Sequence, residues 1–200
     1  LNLMTLFPFT PLKAMADNNQ ALILVTGPAR SGKSEWAETL AGHFQKPVIY
    51  VATARGDSQD TEWQARIAQH QQRRPEDWAT WEVPQALAAT IQTAPLGTCL
   101  LVDSLGTWLA NCLDQSPDLW HQTQRKFLKS LGQRQGPVIL VAEETGWGIV
   151  PPYPLGRCFR DRLGTLVRHV GVIANPVYLV TGGYVLNLSQ LGMCLPIQKD

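Results

Sequence analysis

Metal-site cysteine spacing is missing from this 200-residue sequence: its four cysteines, Cys99, Cys112, Cys158 and Cys194, stand far apart and form no C-x-x-C pair. That excludes a zinc cluster and gives no sign of a secreted disulfide framework, so free thiols in a reducing cytoplasm are expected. No apolar run approaches the ~20 residues of a membrane-spanning helix, so membrane insertion is not expected. Neither sign of charge dominates, with 17 basic and 16 acidic side chains and a net charge of +1. Nucleic-acid binding through a basic surface is therefore not expected either. The N-K-x-D sequence by which switch-type GTPases read guanine is absent. There is no internal repeat and no low-complexity linker.

What is present reads as a globular protein, 44% hydrophobic and 16% charged. Unbroken apolar, β-rich runs fall at 22–26, 48–52, 99–102, 138–142 and 177–181. Strands buried on both faces of a parallel sheet lose the alternating pattern in this way. Helical patterns lie between them at 33–44, 60–74, 84–93, 105–114, 118–134 and 157–172, and Gly182-Gly183 reads as the turn of a closing hairpin into 184–188. Strand–helix alternation predicts an α/β fold with a mostly parallel sheet flanked by helices and a C-terminal hairpin. Residues 1–20 read as a loose extension and 21–200 as a single domain. Ala14-Met15-Ala16 mimics a signal-peptidase site, but Pro8 and Pro11 interrupt the apolar run and no basic region precedes it.

The most specific signal is Gly27-Pro28-Ala29-Arg30-Ser31-Gly32-Lys33-Ser34, a match to G-x-x-x-x-G-K-[ST] between a strand and a helix. Glycines let backbone N–H groups converge on an anion, and the helix that follows adds its positive end. In such a loop the lysine reaches the β- and γ-phosphates and the serine hydroxyl ligates Mg²⁺. A P-loop NTPase-type (RecA-like) fold binding ATP or GTP with Mg²⁺ is the expectation. Asp103 ends the apolar strand in "TCLLVDSLGTW". It stands where such proteins place a metal-holding acid, or it caps the next helix. A further cluster lies in "DTEWQARIAQHQQRRPEDW", where Arg66 falls four residues before His70, and Arg73 and Arg74 follow it. On a helix these guanidinium groups flank the imidazole, biasing it toward its neutral, nucleophilic form while offering to hold phosphates. A solvated helix face is the alternative. The other histidines, His43, His121 and His169, have no such cluster.

Three stretches together resemble the bifunctional adenosylcobinamide kinase/adenosylcobinamide-phosphate guanylyltransferase family of cobalamin biosynthesis. They are "LVTGPARSGKS", the His70 segment, and "ETGWGIVP" followed by "RCFRDRLG", in family order from about Ile23 to Leu188. The resemblance implies two reactions. The γ-phosphate of ATP or GTP passes to the aminopropanol hydroxyl of adenosylcobinamide, and GMP then passes from GTP through a guanylyl-histidine to that phosphate. It puts His70 at the nucleophile's position, makes Glu144 a candidate for assisting hydroxyl deprotonation, and matches Glu82 to another acidic nucleotide-site position. It also implies a homotrimer. Where the family has Asn before the glutamate this chain has Glu143, and where Arg-x-Asn is common it has Thr165, Leu166 and Val167. Two other readings compete: a P-loop kinase of another small alcohol, and a nucleotide-dependent regulatory protein.

Overall fold

The computed structural model describes residues 20–55 and 74–196. Among these, seven strands form one sheet: β1 (Leu22–Gly27), β2 (Val48–Ala52), β3 (Ala79–Glu82), β4 (Cys99–Asp103), β5 (Val138–Glu143), β6 (Val177–Thr181) and β7 (Tyr184–Asn187). Their order is β3-β2-β4-β5-β1-β6-β7. Every neighbouring pair is parallel except β6 and β7, which form the expected hairpin. Its turn uses Gly182 at φ 58° and Gly183 at φ 80°, a left-handed pair that glycine adopts without a Cβ clash.

The helices are α1 (Lys33–His43), α2 (Leu87–Thr93), α3 (Leu105–Ala110), α4 (Pro117–Gln133), α5 (Pro154–Ile173) and the single-turn α6 (Leu188–Leu191). Two cores result, one on each face of the sheet. On one face α1 lays Ala37, Leu40 and Ala41 against Ile23, Val25, Leu101, Ile139 and Val141. On the other, Leu87 and Ile91 of α2, Trp108 of α3, Phe127 of α4 and Leu166 of α5 cover Leu24, Leu100, Val102 and Leu140. Consecutive residues of β1, β4 and β5 thus enter opposite cores, which is why these strands read as continuous apolar runs.

The five apolar runs lie within one residue of the strands they predict. β3 carries no such signal, because all four of its residues are exposed and it is held by parallel pairing of Ala79–Glu82 with Ile49–Ala52. α5 starts at Pro154 rather than 157, with proline at a first-turn position where a missing N–H costs nothing. α2 starts at Leu87 rather than 84. α3 stops at Ala110, well short of 114, and residues 111–114 form turns. The helix expected over 60–74 lies outside the described residues up to 73.

Trp108 anchors the larger core. It is 1% exposed, packs on Phe127 at 4.9 Å and Trp120 at 5.8 Å between ring centroids, and donates its indole N–H to the Gln85 carbonyl at 3.0 Å. Trp108→Ala should cost about 3–5 kcal/mol of unfolding free energy, measured by urea denaturation.

Candidate functional site

The parallel register brings the carboxyl ends of five strands to one rim. Gly27 of β1 pairs with Glu143 of β5, and Ala52 of β2 lies between Glu82 of β3 and Asp103 of β4. With strands about 4.8 Å apart, the acid ending β4 lies about 10 Å across the sheet from the start of the phosphate loop, with β5 between. This rim is where open α/β sheets collect ligands.

The loop is shaped by contact at its root. A Cβ on Gly27 would stand 2.3 Å from the Val180 carbonyl oxygen and 2.8 Å from Ser31 Oγ, so only glycine fits. The Gly27 carbonyl accepts the Glu144 N–H at 3.0 Å, and the Pro28 carbonyl accepts the Ser31 N–H at 3.3 Å. Arg30 at φ 60° and Gly32 at φ 92° turn the backbone back on itself. Gly32 caps α1 with no side-chain bond to the opening N–H groups, so this 11-residue helix presents them to the hollow. Lys33 is only 9% exposed and its Nζ donates to the Pro28 carbonyl at 3.4 Å. Ser31 Oγ is buried with no hydrogen-bond partner. Helix-opening donors, an inward lysine and an orphaned hydroxyl are groups that suit the oxygens of an anion. Ser34 follows half-buried in the first helical turn, while Ala29 and Arg30 are exposed.

Across the rim, Asp103 does not cap α3. Ser104 does, in a capping box with Thr107. The Asp103 carboxylate instead accepts the Tyr50 hydroxyl at 2.8 Å. Thr53 ties β2 to this turn by donating to the Ser104 carbonyl at 2.7 Å, and its Oγ1 also accepts the Ser104 N–H at 2.9 Å. Glu143 Oε2 accepts the Gly106 N–H at 3.0 Å. A Cβ on Gly106 would lie 2.0 Å from that oxygen, so the carboxylate occupies the space that a larger residue would need. Burial pushes the Glu143 carboxyl above its usual range, and the Asp103 charge adds to this, while a Ser104 hydrogen bond and the Lys33 cation oppose it. Ser34, Asp103 and Glu143 offer hydroxyl and carboxylate oxygens, donors that suit Mg²⁺. No group of three or more His, Cys, Asp and Glu side chains able to hold a metal occurs among the described residues.

Glu144 receives the buried Thr26 hydroxyl on Oε1 at 2.8 Å. Beyond it runs an exposed apolar loop that includes Trp147 at 65% and Ile149 at 96% exposure. Gly146 and Gly148 are not in left-handed conformations. Glu82 is exposed at the far end of the rim. Thr165 is exposed, whereas Leu166 is fully buried in the core. His70 and Arg66 lie outside the described residues. Tyr50, Thr26 and Gly106 were not singled out from sequence: each reads locally as an ordinary strand or helix residue.

The family model "Cobinamide kinase / cobinamide phosphate guanyltransferase" matches residues 23–188. The chain belongs to this family. A Pseudomonas aeruginosa member, the bifunctional adenosylcobalamin biosynthesis protein CobP, is 46% identical over 145 residues, covering 72% of this chain and 83% of its own. The Escherichia coli K12 protein CobU, of the same description, is 37% identical over 177 residues, covering 81% and 96%. A solved structure from Pyrococcus horikoshii OT3 superposes with a TM-score of 0.52 at 5% identity, over 85% of this chain and 86% of that one. At that identity the likeness is one of fold. The family's P-loop and glutamate-loop segments meet on the rim described above.

The Glu143 environment generates a prediction. Its raised pKa means that the folded state holds a proton the unfolded chain releases near the ordinary value of 4.5. The favourable contribution is fully present below that value and is lost as pH rises through the folded pKa. Glu143→Gln removes the ionisation, so the nucleotide-free variant should melt at a higher temperature than the parent at pH 8. The difference should shrink toward pH 4, as followed by circular dichroism.

Proposed function

We propose that this chain phosphorylates the aminopropanol hydroxyl of adenosylcobinamide with ATP or GTP, then transfers GMP from GTP to that phosphate through a guanylyl-histidine. The observation that carries the reading is a family match across 23–188 coinciding with a loop already shaped for phosphate. The triphosphate lies along residues 27–34. Lys33 leaves the Pro28 carbonyl to meet the β- and γ-phosphates, a short movement since its 3.4 Å bond there is long. Ser34 and Asp103 would hold Mg²⁺, which when bound would supply positive charge against that building on the transferring phosphoryl group. Glu144, held by Thr26, orients the acceptor hydroxyl and takes its proton.

In the second reaction the His70 imidazole attacks the α-phosphorus of GTP. A P–N bond forms, the α–β bridging P–O bond breaks, and pyrophosphate leaves. The phosphate of the first product then attacks the same phosphorus, forming a P–O bond and releasing His70. Arg66 stabilises the charge built on the α-phosphate, and Glu82 contacts the nucleotide from the rim. Trp147, Ile149 and Tyr153, all exposed, give a bulky, flat corrinoid an apolar surface. The chain acts in the cytoplasm as a homotrimer, a state that would cover the exposed Tyr184 and Leu186 of the edge strand β7.

GTP labelled in the α-phosphate, incubated with Mg²⁺ and the protein, should leave an acid-labile, alkali-stable covalent label that His70→Ala abolishes. Equal labelling of the two proteins would remove His70 from the reaction, and no label on a parent that binds GTP would leave a kinase alone. Lys33→Ala should lower phosphoryl transfer from γ-labelled ATP to adenosylcobinamide by roughly 100-fold or more, the scale of losing one transition-state cation.

A further inference from the structure

Tyr50 sits in the middle of β2 and is buried. Its aligned neighbour in β4 is Leu101, two residues before Asp103, so its long side chain lies along the α1 face of the sheet toward the rim. Its hydroxyl donates to Asp103 Oδ2 at 2.8 Å, and burial and the neighbouring carboxylate both hold the phenol in its protonated, donating form. The ring carries a second partner. The Arg74 guanidinium carbon lies 3.2 Å from its centroid, and Arg74 Nη1 reaches Thr80 Oγ1 in β3 at 3.4 Å. A cation over the ring draws electron density away from the hydroxyl and makes it a stronger donor. Arg74 lies four residues beyond His70 in the sequence.

We infer that Tyr50 is a positioning residue that fixes the orientation of the Asp103 carboxylate for the cation, and that Arg74, stacked on the same ring, strengthens that hydrogen bond. The inference rests on the proposed metal role of Asp103. Whatever draws Arg74 off Tyr50 then also loosens the carboxylate. A single hydrogen bond to a charged acceptor is of the strength to matter without being needed for folding.

Mn²⁺ provides the probe. Titrated by electron paramagnetic resonance into the full chain with a non-hydrolysable GTP analogue, it should bind Tyr50→Phe roughly five- to tenfold more weakly than the parent, from loss of one bond to a charged group. Arg74→Gln should weaken it by roughly twofold, the weak end of the cation–π range, since Arg74 acts only through the ring. Affinity for the analogue in EDTA should be unchanged in both variants, which also reports that they are folded. In turnover, raised Mg²⁺ should restore the kcat of Tyr50→Phe; a kcat depressed at every Mg²⁺ concentration would overturn the positioning role. Parental Mn²⁺ affinity in Tyr50→Phe, beside a clear loss in Asp103→Asn, would overturn this inference alone. No loss in Asp103→Asn would overturn the metal assignment and the inference together.

Discussion

The site depends on the lack of room at Gly27. Its α-carbon is pressed against the Val180 carbonyl of β6, and its own carbonyl is held by the Glu144 N–H at the end of β5. The central strand is therefore pinned on both sides where the phosphate loop leaves it. Any Cβ there must displace backbone, and backbone moves only if β6 or β5 moves with it. The loop beyond depends on that root, because the Pro28 carbonyl meets both the Ser31 N–H and the Lys33 ammonium. A rigid sheet edge thus positions a short, donor-rich turn, and the phosphate hollow is shaped before any ligand arrives.

A second constraint acts across the rim. Three carboxylates, of Asp103, Glu143 and Glu144, line the same rim, and each accepts from a different donor. Asp103 takes the Tyr50 hydroxyl, Glu143 the Gly106 N–H, and Glu144 the Thr26 hydroxyl. The carboxylates still feel one another, since the Asp103 charge helps to favour the protonated form of Glu143. Burial is the main cause of the raised pKa of Glu143. That residue places an ionisable group within reach of the Lys33 field. The cost is smallest with a cation or a phosphate-bound metal present.

How much was readable beforehand follows from which forces are local. β1, β4 and β5 were legible because burial on both faces leaves an unbroken apolar run. The phosphate loop was legible because its glycines answer steric demands that no other residue meets. β3 was not, since "ATWE" has no apolar run and exists as a strand only through its pairing with β2. Asp103 was found from its place after a strand, while its partner Tyr50 was hidden: a tyrosine in "VIYVA" looks like core until the register aims it at a carboxylate 53 residues away. Gly106 was hidden for the same reason, since the oxygen that demands it belongs to another strand. Of the tryptophans, Trp108 and Trp120 pack together in the core, whereas Trp147 stands openly on the glutamate loop.

The central claim is that residues 27–34 and the carboxylate ending β4 form one nucleotide–metal site. A crystal structure of the chain with Mg²⁺ and a non-hydrolysable GTP analogue tests it most directly. The account predicts the β-phosphate inside the loop, Lys33 turned from the Pro28 carbonyl onto phosphate oxygen, and a cation between Ser34 and Asp103 with Tyr50 still bonded to the latter. A nucleotide bound away from the loop, or Lys33 still on Pro28 with the triphosphate present, would contradict it.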